Sequence, residues 1–355
     1  MHVTGSPERR PRLTPPMADA RRAVRVALAA AAALPAPDPH DDHGPQRPRP
    51  LAPGALVLVG LSGGADSLAL AAATAFEAPR AGFRAGAVVV DHGLQHGSAE
   101  IAERAAAQAR ALGLDPVLIE RVEVAGEGGP EAAARTARHA AFDRARAATG
   151  AERVLLGHTL DDQAETVLLG LARGSGPGSL QGMLPDTGAL LRPFLGLRRE
   201  ATRAFCADSG LEPWDDPHND DTAYRRVRVR NSVLPVLERE LGPGVAEALA
   251  RTAEQLREDD EALDGLALEW ALELVSQTDD GAVALDVRGL AADPPALRQR
   301  IIRLVVSAEF GVSLSRAHTL AVAELITDWH GQGPLSLPGV RVVRQNGLLT
   351  FHPNS

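Results

Sequence analysis

The stretch LVLVGLSGGADS, Leu56 to Ser67, decides how the rest of the chain is read. Its apolar first half has the composition of a buried strand. Ser62, Gly63 and Gly64 form a turn, and the helix-forming run LALAAATAF follows at once. Strand, glycine turn and helix in this order are how a parallel sheet presents an anion site. Backbone N–H groups of the turn and of the first helical residues, Ala65 among them, point at the anion, and the helix dipole adds to them. Gly63 and Gly64 allow a tight turn and close approach of a ligand, while Ser62 and Ser67 carry hydroxyl donors. The loop is not a Walker A motif, because no Gly-Lys-Ser/Thr is present and the chain contains no lysine; its glycine spacing also differs from GxGxxG. An acid, Asp66, lies inside the anion cradle. A carboxylate beside phosphates calls for a cation between them, so Asp66 is expected to be a Mg²⁺ ligand. A plain glycine turn capped by Ser and Asp would explain less of the pattern.

From residue 55 onward the pattern alternates. Strands are expected at 56–60, 86–90, 117–122 and 153–157, with helices at 67–78, 98–112, 130–148 and 161–172. Such βα repetition predicts an α/β fold with a doubly wound parallel sheet, whose ligands sit beyond the carboxyl ends of the strands. Three regions are expected. Residues 1–53 form an N-terminal extension and linker, disordered over 1–16 and 36–53 with an amphipathic helix at 18–35. Residues 54–232 form the catalytic domain. Residues 233–355 form a smaller, mainly helical domain, with a strand at 283–287, helices near 295–309 and 315–328, and a terminal hairpin turning at Asn346-Gly347. Met17 is a candidate start, and no apolar core of a signal peptide precedes it.

Composition narrows the function classes. The chain of 355 residues has a formal net charge of −9, which counts against a uniformly basic nucleic-acid-binding domain. Arginines nevertheless crowd one stretch (Arg192, Arg198, Arg199, Arg203, Arg225, Arg226, Arg228 and Arg230), and a local basic face can bind phosphates on an acidic protein. Cys206 is the single cysteine, so a disulfide framework and a Cys-x-x-Cys metal or redox site are excluded. No apolar run is long enough to span a membrane, and the expected compartment is the cytoplasm.

The other candidate residues cluster at the expected strand ends. Asp91 and His92 end the second strand, where adenine or ribose would lie, although Asp91 alone also fits a capped strand terminus. Arg135 and Arg138 share a helix face and can clamp phosphate; a salt-bridged solvent face, Glu131 with Arg135, is the competing reading. Gly157 closes a strand, and His158, Asp161 and Asp162 open the next helix. Two acids at a helix N-terminus can be dipole partners only; the sharper reading has Asp162 share Mg²⁺ with Asp66 while His158 neutralises charge on pyrophosphate. The Arg173–Gly176 turn is a further candidate anion nest.

SGGADS resembles the PP-loop of the ATP pyrophosphatase superfamily, whose members cleave ATP to AMP and pyrophosphate. Further blocks follow in order over residues 56–237: VDHGLQHGSAE, EAAARTARHAAF, GHTLDDQAETVLLGLARGSGPGSLQGM, LLRPFL and WDDPHNDDTAYRRVRVRNSVLPVLE. Together they resemble the tRNA(Ile)-lysidine synthetase family, in its short architecture. The resemblance implies a Rossmann-like PP-loop fold, ATP and Mg²⁺ as cofactors, and two partners: the isoleucine tRNA with a CAU anticodon, and free L-lysine. A homodimer is compatible with it. ATP would adenylate the C2 oxygen of the wobble cytidine, and the amine of lysine would then displace AMP. The resemblance places Asp66 and Asp162 on the metal, Ser62, Gly63, Gly64 and Ser67 on pyrophosphate, and Arg138 on phosphate. It places Arg173 and Gly174 near the lysine and cytidine pocket, with Asp161, Glu165, Arg226 and Arg230 as further substrate residues. The acidic run Asp215, Asp216, Asp220 and Asp221 would suit a cationic substrate. Where the family commonly reads Arg-Asn-x-x-Arg, this chain has Arg226-Val227-Arg228-Val229-Arg230, without the asparagine. The competing functions are a PP-loop tRNA thiolase, which needs cysteines to pass sulfur, an ammonia-using synthetase, and a non-catalytic nucleotide-binding module.

Overall fold

The computed structural model describes residues 13–35, 48–93, 97–124, 130–174, 176–216, 221–278 and 281–354. Most of the expected disordered segments, Asp220 and the side chain of Glu131 lie outside them. Among the described residues no helix is long and apolar enough to cross a membrane.

The chain divides into two compact units. Among the described residues, the first takes in those from 48 to 254 and the N-terminal helix α1 (Pro15–Ala32); the second takes in those from 255 to 354. The boundary expected after residue 232 therefore falls inside the first unit, and the division lies within one long helix.

The first unit is built on a five-stranded sheet. Its strands are β1 (Leu56–Leu61), β2 (Arg84–Asp91), β3 (Val117–Arg121), β4 (Arg153–Leu155) and β5 (Leu190–Leu191), in the order β3-β2-β1-β4-β5 with all named pairings parallel. The helices are α2 (Ala65–Glu77), α3 (Ser98–Ala111), α4 (Pro130–Thr149), α5 (Leu160–Arg173) and α6 (Arg199–Ser209). β1 is apolar throughout because both of its faces are covered, as parallel sheets require. Val57, Val59 and Leu61 pack with Leu68, Leu70 and Val24 on one side. Leu56 and Leu58 pack with Phe142, Val88 and Val154 on the other. The chain leaves β1 toward β2 on one flank and returns to β4 on the other, so the crevice at the carboxyl end of β1 lies at the switch in strand order.

Downstream, α7 (Arg225–Arg228) runs through a π turn over Val229–Val233 into α8 (Leu234–Leu241). Pro235 explains the π turn: it has no N–H for the carbonyl of Asn231, and its ring would clash there in a regular helix. The long α9 (Val245–Leu274) follows.

In the second unit the sheet exceeds the expectation. Besides the expected strand, β7 (Val283–Asp286), and the hairpin β9 (Val340–Gln345) and β10 (Leu348–Pro353), it includes β6 (Val275–Gln277) and β8 (Leu335–Leu337), in the antiparallel order β6-β7-β10-β9-β8. Asn346 and Gly347 both have positive φ (51° and 77°), as a tight hairpin turn demands. Helices α10 (Val287–Ala292), α11 (Pro295–Phe310) and α12 (Arg316–Thr327) enclose a core around Ile301, Ile302, Leu285 and Phe351.

Candidate active site

The Ser-Gly-Gly turn is held by its own serines. Ser67 Oγ donates to the Gly64 carbonyl at 2.9 Å and accepts from Ser62 N at 3.2 Å, and the two serine hydroxyls stand 3.1 Å apart. Gly63 has φ +83°, and its carbonyl accepts from Trp214 N at 2.9 Å, so the segment after α6 pins the turn. Gly157 is required at the end of β4: a Cβ there would lie 2.8 Å from the Asp66 carbonyl oxygen. This close approach brings His158 and the start of α5 against the start of α2.

α5 opens with a capping box. The Thr159 side chain accepts from Asp162 N, and Asp162 Oδ2 accepts from Thr159 N at 2.8 Å and from Thr159 Oγ1 at 2.9 Å. Asp162 Oδ1 is thereby turned outward, where it meets Arg199 Nη2 at 2.9 Å and Arg230 Nη2 at 3.3 Å. Arg199 Nε lies 3.5 Å from Asp66 Oδ2, and Thr202 Oγ1 donates to Asp66 Oδ1. One guanidinium thus bridges the two carboxylates expected to share a cation. Glu165, fully buried one turn along α5, accepts from Arg230 Nε at 2.7 Å and Arg199 Nη2 at 3.3 Å, and forms an ion pair with Arg226 at 3.2 Å. Burial raises the Asp66 carboxyl above the ordinary range, against the pull of the Thr202 hydrogen bond and Arg199. At Asp162 burial acts in the same direction but is outweighed by Arg199, the Thr159 N–H and nearby cations, so its carboxyl is held below the ordinary range.

The other side of the crevice is basic. Burial takes His158 down to about 3, despite the attraction of Asp162, and Arg192, Arg138 and Arg226 push the same way. Burial, then Arg135 and Arg226, takes Arg138 down to about 10. His92 is lowered by burial and Arg138. The Nδ1 atoms of His92 and His158 and the Nε of Arg138 are buried without a hydrogen-bond partner.

The structure sorts the expected residues into groups. The loop, Asp66, Asp162, Glu165, Arg226 and Arg230 share one network. His92, Arg138 and His158 line the basic side, where Arg135 is exposed but close enough to act on Arg138. Asp91 caps its own strand end, accepting from Gly93 N at 3.0 Å. Asp161 caps α6, accepting from Arg199 N at 2.7 Å, and pairs with Arg198 at 3.1 Å. Arg173 and Gly174 are exposed at the end of α5, with Gly174 in the left-handed region that terminates the helix. In the acidic run, Asp221 caps a turn at Ala223. The dense arginines are not a free basic face: Arg198, Arg199, Arg226 and Arg230 each meet a carboxylate. Arg199, Thr202 and Trp214 are the site residues that sequence reasoning missed. The advance signals were Arg199 within the arginine run and Trp214 at the head of the WDDPHNDD block.

A PP-loop domain family model matches residues 46–237, and a TilS substrate binding domain model matches 285–350. The chain is 83% identical over 332 residues to tRNA(Ile)-lysidine synthase of Leifsonia xyli, covering 94% of this chain and 100% of that protein. It is 51% identical over 334 residues to the enzyme of the same name from Thermobifida fusca (94% and 96%), and 53% identical over 309 residues to that from Streptomyces coelicolor (85% and 86%). Among solved structures, the U34-tRNA thiolase NcsA from Methanococcus maripaludis, with its [4Fe-4S] cluster, superposes with a TM-score of 0.53 at 18% identity. The match covers 68% of this chain and 80% of that one, a likeness of fold alone.

Proposed function

Because the chain belongs to the tRNA(Ile)-lysidine synthase family, we propose that it ligates free lysine to C2 of the wobble cytidine in the isoleucine tRNA with a CAU anticodon, acting in the cytoplasm. ATP is consumed: the C2 oxygen attacks the α-phosphate and expels pyrophosphate, and the lysine amine then displaces AMP. The observation that carries this reading is the convergence of Asp66 and Asp162, from separate segments, on one cationic group beside the Ser-Gly-Gly turn.

That convergence also bears on Mg²⁺. Asp66 and Asp162 would hold the ion, as their shared cation Arg199 indicates they can. One or two carboxylates plus substrate phosphates suffice for this metal, so the lack of a larger ligand cluster among the described residues is no obstacle. Bound there, the ion would offset charge on the phosphates. The chain's own groups do the remaining work. The N-terminus of α2 and the Ser62 and Ser67 hydroxyls receive pyrophosphate oxygens. Arg138 stabilises the charge developing at phosphate, and neutral His158 offers it a hydrogen bond. Glu165 holds Arg226 and Arg230 in position beside the tRNA and lysine. Arg173 and Gly174 belong to the outer part of the same substrate surface.

A thiolase reading fails on Cys206. Its thiol is buried behind the loop, donates to the Ala65 carbonyl at 3.4 Å, and is pushed up to about 12 by burial and Asp66. The test is incorporation of radiolabelled lysine into the CAU isoleucine tRNA transcript, with the methionine tRNA as control. Label entering only the isoleucine tRNA, and lost in Asp66→Asn, is expected. Binding of ATP with no AMP or pyrophosphate released on either tRNA would instead indicate a non-catalytic nucleotide-binding module.

A further inference from the structure

The cations of the crevice fall into two sets. Arg199, Arg226 and Arg230 all have carboxylate partners. Arg192 does not share in that compensation. Its residue is 6% exposed, Nη1 donates to the Leu184 carbonyl at 2.7 Å, and Nε is buried with no hydrogen-bond partner. Asp186, the carboxylate nearest in effect, is already engaged by Arg153 at 3.3 Å and by Gly188 N at 2.7 Å. The other charges acting on Arg192 are Arg135 and Arg138. Arg138 has its own orphan Nε, and His158 its orphan Nδ1.

A buried charge is ordinarily paired or coordinated, because desolvating it alone is costly. Two buried guanidinium groups, each with an Nε that lacks a partner and each acted on by like charge, therefore describe half of an interaction. We propose that Arg192, together with Arg138 and His158, forms a subsite for a phosphate oxyanion. Arg192 follows β5 directly and His158 lies three residues beyond β4, so both sit at the carboxyl ends of the strands, where ligands of open parallel sheets bind. A planar guanidinium with a free edge suits the oxygens of phosphate, which it can hold at two points. The phosphate comes either from the nucleotide or from the tRNA backbone. The subsite deepens the function proposed above and rests on it for the source of that phosphate. Arg192 acts here as a binding residue, distinct from the Ser-Gly-Gly cradle on α2.

The test uses the full chain as wild type, Arg192→Met and Arg192→Lys. Dissociation constants are measured for inorganic pyrophosphate, for ATP and for the tRNA transcript, each alone, and Tm is recorded without ligand. Arg192→Met should weaken binding of pyrophosphate and ATP by about tenfold or more, the loss expected of one charge-assisted contact. Arg192→Lys should recover part of it. The ligand-free Tm should not fall, because an uncompensated cation has been removed. If pyrophosphate affinity is unchanged but the transcript binds about tenfold more weakly, the phosphate is that of the tRNA and the subsite stands. Unchanged affinity for all three ligands would overturn the proposal, as would a ligand-free Tm lowered by several degrees with affinities intact, the mark of a structural peg on Leu184. Lysine incorporation by the wild type is followed in parallel. Its failure would remove the proposed function without altering the binding comparison.

Discussion

Glu165→Ala is the most severe single change the site's geometry predicts. The carboxylate is fully buried and receives nitrogens from Arg230 (2.7 and 3.1 Å), Arg226 (3.2 Å) and Arg199 (3.3 Å). Deleting one partner of a buried ion pair costs about 3–5 kcal/mol, because the remaining charge is left uncompensated. Here the stranded charges are guanidiniums whose side chains keep 17–25% exposure, so water compensates them in part. Asp162 also still engages Arg199 and Arg230. The lower figure, about 3 kcal/mol, is the appropriate one. With a urea m-value of about 3 kcal/mol/M for a unit of this size, the midpoint should fall by about 1 M at unchanged m. Trp214 lies in the first unit and Trp270 and Trp329 in the second. In a Trp270→Phe, Trp329→Phe background, fluorescence therefore follows the first unit alone. Glu165→Gln, which keeps an acceptor oxygen, should lose less than half as much. A midpoint shift below about 0.3 M for Glu165→Ala would mean that the three arginines gain little from the buried carboxylate, and the reasoning would fail.

Other outcomes follow from the same geometry. Gly157→Ala drives a Cβ to 2.8 Å from the Asp66 carbonyl; the rigid overlap should cost about 1–3 kcal/mol and raise the KM for ATP in an AMP-release assay, because the loop must shift. His158 stays neutral to about pH 3 in the folded chain, whereas the unfolded chain binds that proton near the ordinary histidine value. Between those limits the unfolded state holds more protons, so His158 lowers stability as pH falls. His158→Gln should remove close to one proton from the unfolding-linked uptake over about pH 6.5 to 3, measured from Tm against pH. Cys206, buried with its thiol pushed up to about 12, should resist alkylation at pH 8 until the chain unfolds. Cys206→Ala should retain lysine incorporation, and its loss would revive a sulfur-transfer reading.

Local signals were legible where a short stretch carries its own structural instruction. The apolar run at Leu56 followed by Ser-Gly-Gly placed β1, the loop and α2, and Asn346-Gly347 placed the terminal hairpin. Apart from β4, which lies within an expected strand, strands of two or three residues carry too few side chains for a period of two to register. Hence β5, β6 and β8 emerge only from their pairing. The arginine run was visible, yet its role was not. Arg199 finds Asp162 across 37 positions and Thr202 finds Asp66 across 136, and nothing in the composition of the run distinguishes neutralised arginines from Arg192. Asp161 and Asp162, adjacent in sequence, diverge because a capping box turns one toward the Asp66 cluster and leaves the other to start α6.

The hydrogen bonds from Thr202 to Asp66 and from Trp214 to the Gly63 carbonyl also set a timetable for biosynthesis. The loop is made early, but the residues that orient its acid and clip its backbone are translated well over a hundred residues later. At about 5–20 residues per second, that interval is on the order of ten seconds or more. For the first part of it, until residues 153–155 are made, β1 also lacks β4 on one flank. A nascent chain halted before residue 199 would carry the complete SGGADS sequence without Arg199, Thr202 or Trp214. Nucleotide affinity should therefore arise late on the ribosome, in a single step once α6 and Trp214 have emerged and docked.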